Sequence, residues 1–269
     1  MFNLISALLH ECDIELFGKI SLEDCRIIKP YLLERTGISS GTAIVIAAPY
    51  FVCDGNGGNI SKYAVSKDYH LFYKELFDKI VPALEKAYPD NKFAGFADHS
   101  PIDEIEAAAK CGLGVIGKHG LLITEKYSSF VFLATLFTDV HLECEVHEIR
   151  DCEDCGLCKR ACPVALDKSE CLSARTQKKG ELSTTDIELM KKHGTVWGCD
   201  ICQNACPHTQ KAIESGTIFS KIPFFNEVRT PFLTYDIIEK MSEEDFKSRS
   251  YSWRGREVVL RNLKATSEE

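Results

Sequence analysis

Eight cysteines between residues 152 and 206 carry the most legible chemistry of this 269-residue chain. The first run is Cys152-Glu-Asp-Cys155-Gly-Leu-Cys158-Lys-Arg-Ala-Cys162-Pro163. The second is Cys199-Asp-Ile-Cys202-Gln-Asn-Ala-Cys206-Pro207, and Cys171 stands between them. Thiolates are the ligands that iron–sulfur clusters take, four to a cluster, and the first run has the C-x2-C-x2-C-x3-C-P spacing of bacterial two-cluster carriers. In such carriers the fourth cysteine of a run ligates the other cluster. Transferred here, Cys152, Cys155, Cys158 and Cys206 hold one 4Fe–4S cluster, and Cys162, Cys171, Cys199 and Cys202 hold the second. Paired C-x2-C units also bind zinc, and one cluster with spare thiols is a third reading. Two clusters account for all eight thiols and for the repeated Cys-Pro. The other five cysteines, Cys12, Cys25, Cys53, Cys111 and Cys144, are scattered and read as small buried hydrophobes. Lys159, Arg160, Lys168 and Arg175 either offset cluster charge or form a solvated face.

The remainder of the chain must position this region. At 45% hydrophobic and 27% charged residues, the composition is that of a soluble globular protein with ample core. The apolar stretch at residues 130–134 is far too short to span a bilayer. No basic segment precedes the apolar residues after Met1, so the start reads as a helix and not as a signal peptide. The expected location is cytoplasmic, with no membrane partner. Thirteen cysteines in such a chain point to metal or redox chemistry and not to a disulfide framework. The net charge of −8 argues against a generally basic surface built to coat nucleic acid. Residues 247–264, however, place Lys247, Arg249, Arg254, Arg256, Arg261 and Lys264 against Glu257 alone, a patch suited to docking a phosphate-bearing partner.

Ser21-Leu-Glu-Asp24 resembles a capping box, and predicts a helix from there to about Arg35 with Gly37 as its stop. Residues 43–49 form a continuous apolar run suited to a strand buried on both faces. Residues 54–58 read as a glycine-rich loop. Residues 69–87 have helical periodicity, and 92–97 read as a strand. Ser100 as N-cap and Pro101 at the first turn predict a helix ending near Cys111, with Gly112 as its stop. Residues 121–124 and 130–138 are further strands, and helices are expected near 234–241 and 243–249. Strands and helices alternate through residues 40–140, giving a mixed α/β first half.

Several patterns in that half are decoys. Gly112-Leu-Gly-Val-Ile-Gly117 matches G-x-G-x-x-G, but follows a helix and leads into a strand, the reverse of a dinucleotide site. Gly117-Lys118 lacks the remainder of a P-loop. Asp68-Tyr-His70 begins like a cobalt-ligating D-x-H-x-x-G, but Tyr73 replaces its glycine. Ser128 and Ser129 have no triad pattern around them. Asp98 stands just past a strand, where it could be a turn residue or a general acid. To donate a proton near neutral pH, its pKa would have to be raised by burial.

Asp98-His-Ser-Pro101, Glu104 and Gly112-Leu-Gly-Val-Ile-Gly-Lys118 together resemble the D-x-x-P-x-x-E…GLGxxGK signature of epoxyqueuosine reductases. Tyr63-Ala-Val-Ser-Lys-Asp68-Tyr-His70 is similar to their YAxGxDYH segment. The whole cysteine region and the ending Arg261-Asn262-Leu are similar to theirs as well. The resemblance spans residues 40–264. Ser66-Lys67 replace an expected glycine, Val115 replaces an aromatic residue, and Glu269 ends the chain where members continue into helical repeats.

The resemblance implies an α+β fold: a mixed α/β cobalamin-binding domain (1–145), a ferredoxin-like two-cluster domain (146–215) and a short helical, basic segment (216–269). It implies a cobalamin enzyme related to reductive dehalogenases. The epoxide of a modified tRNA wobble base would lose its oxygen as water, with two electrons and two protons consumed. Electrons would pass through the clusters to cobalt. Asp98 would be the proton donor, and Tyr63, Asp68, Tyr69, His70, Asp98, Gly114, Gly117 and Lys118 the cofactor contacts. A monomer is expected, fed by a reduced ferredoxin- or flavodoxin-type donor and docking the tRNA anticodon region through 247–264. The competing readings are a corrinoid-dependent reductase of a non-tRNA substrate and a ferredoxin-type electron carrier without a substrate site.

Overall fold

The computed structural model describes residues 1–52 and 58–267. Cys53 and the expected loop at 54–58, apart from Gly58, lie outside the described residues. The chain divides into two compact units, Met1–Pro49 with Tyr69–Asp154, and Tyr50–Asp68 with Cys155–Glu269. The expected 146–215 and 216–269 segments thus fall, from Cys155 onward, into one unit. That unit also claims residues 50–68, well ahead of it in the chain.

The first unit has helices α1 (Phe2–His10), α2 (Pro30–Thr36), α3 (Tyr69–Ala87) and α4 (Glu104–Lys110). Its strands are β1 (Phe17–Ser21), β2 (Thr42–Pro49), β3 (Phe93–Ala97), β4 (Val115–Ile116), β5 (Leu122–Ile123) and β6 (Val131–Thr138). Four of the strands form an antiparallel sheet in the order β1-β2-β6-β3, and β4 and β5 pair separately. Every residue of β2 is buried. Its continuous apolar run reflects a central strand with both faces covered, here in an antiparallel sheet. Ala43, Val45 and Ala47 join Ala107, Ala108 and Ala109 of α4 in one core. The pleat sends alternate residues to the other face. There Gly95 of β3 lies under Phe77 of α3, and a Cβ at Gly95 would collide with that ring.

Two sequence expectations change. The helix predicted from Ser21 to Arg35 is broken. Ser21 caps only the 3-10 turn Leu22–Asp24, and α2 begins at Pro30. Proline lacks an N–H and disfavours the α region for the preceding residue, so Pro30 is suited to start a helix, and Lys29 before it is non-helical. The cap of α4 is Asp103, whose side chain accepts from the Glu106 N–H, and not Ser100. Ser100 instead makes a buried hydrogen bond to Thr135, 3.0 Å away. Gly37 and Gly112 stop their helices with φ of +67° and +77°, as their positions require.

In the second unit the named elements are helices: α5 (Leu157–Ala161), α6 (Leu172–Thr176), α7 (Thr184–His193), α8 (Ile201–Asn204) and α9 (Pro207–Glu214). They continue as α10 (Pro223–Glu227), α11 (Tyr235–Lys240), α12 (Glu243–Lys247) and α13 (Arg256–Ser267). Trp197 is fully buried at its centre. Its indole N–H donates to the Tyr63 hydroxyl at 2.8 Å, and its carbonyl accepts from Ser61 at 2.7 Å. Asn262 on α13 is also fully buried, and its amide donates to the carbonyls of Thr176 and Val196 at 2.7 and 2.8 Å. Among the described residues, no helix is long and apolar enough to cross a membrane.

Asn262 therefore satisfies two carbonyls from separate segments. Asn262→Leu should leave both unpaired at a cost of about 2–4 kcal/mol, and lower the thermal midpoint by roughly 5–10 °C, measured by circular dichroism on the cluster-loaded protein.

Candidate active site and cysteine centre

A cavity of about 360 Å³ opens in the first unit, with Tyr69, Asp98, Glu104, Leu121, Ser129 and Phe132 among its lining residues. Each comes from an element end. Tyr69 opens α3, Asp98 follows β3, Glu104 opens α4, and Phe132 lies near the start of β6. Tyr69 stacks on Phe132 with centroids 4.2 Å apart, making a flat aromatic wall. The size suits a nucleobase-like ligand.

Asp98 has φ of +61°. Aspartate tolerates this left-handed conformation better than most residues, and such positions cluster at functional sites. The turn lifts the carboxylate out of the strand, leaving 70% of the side chain exposed, and sets it 3.9 Å from His70 Nε2. His70 pulls its pKa below the ordinary carboxylate value, against a smaller burial effect, with Lys29 and His99 acting the same way as His70. Lys29 and Tyr31 bracket the His99 ring at 3.1 and 2.8 Å. Lys29 is placed there because its N–H, like that of Ile28, donates to the Pro101 carbonyl. The raised pKa that a proton donor near neutral pH would need is thus not what these neighbours produce: they shift Asp98 downward, toward the ionised form.

Glu104 is the opposite case. Burial is the main cause, with Asp98's charge next, that pushes its pKa up to about 8 from 4.5. Its Oε1 is buried and has no hydrogen-bond partner among the described residues. The sequence signature contains Glu104, but gives no hint of its environment. Its position three residues after Pro101 is the only signal.

The other expected contacts are dispersed. His70 is half exposed beside Asp98. Lys118 is 3.6 Å from Asp154. Gly114 and Gly117 do not cradle open space. A Cβ on Gly114 would strike the Ile123 carbonyl, and one on Gly117 would lie 2.6 Å from His119. These glycines let β4 and β5 pack. The same segment anchors the first cysteine: the Cys152 N–H donates to the Ile116 carbonyl at 3.0 Å, and the Ile116 N–H to Arg150 at 2.9 Å. Tyr63 and Asp68 belong to the second unit, where Tyr63 is held by Trp197, and the Asp68 N–H donates to Ser248 at 2.8 Å. Tyr73, which replaces the ligand-motif glycine, is buried and bonds the Phe132 carbonyl at 2.8 Å.

In the second unit, Cys162 ends α5, Cys171 precedes α6, Cys202 lies on α8, and Cys206 caps α9 with Pro207 in its first turn. Burial is the main cause that pushes the Cys199 and Cys202 thiols up to about 11 and 12, with the proximity of Cys162 and Cys171 acting in the same direction. Backbone N–H groups of Ile201 and Gln203 oppose this. Cys199 and Cys202, with Cys162 and Cys171 near enough to act on both, thus sit where a thiolate is disfavoured without a cation, which fits an iron–sulfur core as the missing counter-charge. Cys158 and Cys206 are buried, and Cys155 is exposed. Among the described residues, no three His, Cys, Asp or Glu side chains are grouped as around a single metal ion.

No protein-family model matches the chain. An epoxyqueuosine reductase of Gloeobacter violaceus is 30% identical over 219 residues, covering 77% of this chain and 68% of that one. The chain belongs to the epoxyqueuosine reductase family. The Lactococcus garvieae epoxyqueuosine reductase is 30% identical over 216 residues, and the match covers 77% of this chain but only 60% of that protein. A crystal structure of an epoxyqueuosine reductase with an epoxyqueuosine-modified tRNA-Tyr stem loop shares the fold, with a TM-score of 0.76 at 23% identity over 98% of this chain and 81% of that one. A catabolic reductive dehalogenase shares it more loosely, with a TM-score of 0.50 at 14% identity over 96% of this chain and 37% of that one. The α+β expectation accords with this epoxyqueuosine reductase fold.

A raised folded-state pKa makes Glu104 a pH-dependent cost. Below pH 4.5 folded and unfolded chains both carry the proton; between 4.5 and about 8 only the unfolded chain loses it. Stability should therefore fall across that window by up to about 1.4 kcal/mol per pH unit, and level off above it. Glu104→Gln should remove this slope, and its gain over wild type in urea unfolding should be larger at pH 8 than at pH 5.

Proposed function

We propose that this protein is a cobalamin-dependent epoxyqueuosine reductase, acting in the cytoplasm as a monomer on tRNA. Family membership supports the reaction class. The observation that carries the site is Asp98, held in a left-handed turn beside His70 at the mouth of the Tyr69–Phe132 cavity. In the reaction, both C–O bonds of the epoxide break, a C=C bond forms, and the oxygen leaves as water. Two electrons and two protons enter. Cobalamin, when bound, supplies the reducing power at cobalt, and the two 4Fe–4S clusters store single electrons from a reduced ferredoxin- or flavodoxin-type donor.

The chain's own residues position and protonate. Tyr69, His70, Asp98 and Lys118 are the residues whose open surface suits contact with the cofactor or substrate. The aromatic wall receives the planar part of the substrate. Asp98 is ionised in the open cavity. A ligand seated over it removes the water that favours the charge, and lets it carry a proton to the epoxide oxygen. Of the cluster ligands, the set Cys162, Cys171, Cys199 and Cys202 has its support within one unit. The set Cys152, Cys155, Cys158 and Cys206 rests on the spacing.

The 247–264 patch is less free than its composition implies. Arg249 is buried and bonded to Thr230. Arg256 bonds the carbonyls of Ile238 and Ser242, and Arg261 bonds that of Gly180. These guanidiniums brace the unit, so the patch offers an anticodon stem loop fewer cations than its composition implies, and of those Lys247 lies 3.4 Å from Glu243.

Anaerobic protein supplied with cobalamin and reductant should convert epoxyqueuosine in tRNA to queuosine. Asp98→Asn should keep both cofactors, and lose about 10²-fold or more in turnover. Cobalamin that binds without tRNA turnover would favour a non-tRNA substrate, and no change in spectrum or thermal stability on adding cobalamin would leave an electron carrier. Cys171→Ser should halve the iron content; retention of all the iron by chemical analysis would overturn the ligand pairing.

A further inference from the structure

The cavity holds two carboxyl groups in opposite settings, and the reaction proposed above uses only one of them. Glu104 opens α4 on the wall that Asp98 also lines. Its Oε1 is sealed from solvent and accepts no hydrogen bond among the described residues. Ionisation would leave that oxygen without hydration and without a donor in return. Asp98 and Asp103 repel a negative charge at Glu104, while Lys29 alone favours it. The fourth facing group, the Tyr73 phenol on α3, is buried and stays neutral. Burial is the largest influence on Glu104, the two aspartates add to it, and Lys29 opposes it. Asp98, by contrast, faces His70, Lys29 and His99. The protonation states of the two carboxyls therefore separate, the arrangement by which one site keeps an acid and a base side by side.

We propose that Glu104 is the proton reservoir of this cavity, storing beside the ionised Asp98 one of the two protons that the reduction consumes. The inference rests on the function proposed above for its reaction, and on the cavity for its geometry. Each turnover needs two protons, and Asp98 carries none at neutral pH. Glu104 gives one O–H proton, and solvent, which reaches the exposed faces of Asp98 and His70, gives the other. The electron pair comes from the reduced ferredoxin- or flavodoxin-type donor. Glu104 regains its proton from water after product leaves. Asp98, touching the substrate, remains the group that delivers. Glu104 acts through it.

Infrared titration of the cluster-loaded protein without cobalamin tests this directly. A protonated-carboxyl stretch should persist at pH 7, disappear on titration near pH 8, and be absent in Glu104→Gln. In Asp98→Asn, which removes the repelling charge, the same band should titrate at lower pH. In the cobalamin-loaded protein with epoxyqueuosine tRNA, Glu104→Gln should lower turnover about 10²-fold at pH 7 and erase the alkaline limb near pH 8. Glu104→Asp, which keeps an acid, should retain a limb at a shifted pH. A wild-type spectrum without the band at pH 7, or Glu104→Gln turning over at the wild-type rate with the wild-type profile, would overturn the reservoir. If no tRNA is reduced at any pH while the band behaves as expected, the substrate assignment falls and the coupled carboxyl pair stands.

Discussion

The second unit depends on a buried carboxylate. Asp200 stands between Cys199 and Cys202, and accepts hydrogen bonds from the Ser61 hydroxyl, the Lys62 N–H at 2.7 Å and the Gln203 amide at 3.2 Å. Burial disfavours its charge and raises its pKa, and the donors from Ser61 and Lys62 offset part of that penalty. A buried charge without those donors would cost several kcal/mol. The requirement recruits residues 50–68 into a unit whose other residues lie beyond position 154. Tyr63 repeats the linkage through Trp197, and Asn59 through the carbonyl it offers to Val196. The cysteine loop is thus held by polar contacts from a distant segment, which is a rigid way to present thiolates to a cofactor.

The first unit solves a different problem. An antiparallel sheet covered on both faces leaves its functional groups at strand and helix ends. There the backbone can leave its regular conformation without breaking a ladder. Asp98 uses a positive φ to project into solvent, and Glu104, six residues later, keeps one carboxyl oxygen sealed at the start of α4. Two carboxyls so close in sequence differ in protonation because one meets histidines and a lysine, and the other meets apolar surface and acidic neighbours. A helix start normally favours a negative charge. At Glu104 desolvation and the charge of Asp98 outweigh that.

The cysteine spacing was legible in full because ligand number and C-x2-C geometry are local properties of the chain. The strands at 93–97 and 131–138, and the helix at 69–87, were legible because periodicity reports burial. The break at Pro30 was also written in the sequence, where a capping signal at Ser21 masked it. The glycines at 114 and 117 illustrate an ambiguity that no pattern resolves. Glycine allows close approach by any atom, and here the atoms belong to Ile123 and His119.

By itself the sequence determined the number and spacing of the cysteines, the family signature, and the position of Asp98 at a strand end. All three follow from residue type and short-range spacing. Tertiary structure alone decided that residues 50–68 join the cysteine unit, that arginines of the basic tail are internal braces, and that Glu104 retains a proton where Asp98 does not. Those outcomes depend on which distant groups surround a side chain. A pKa or the availability of a guanidinium is set by solvent and neighbouring charge, and neither is encoded within a few residues of the group concerned.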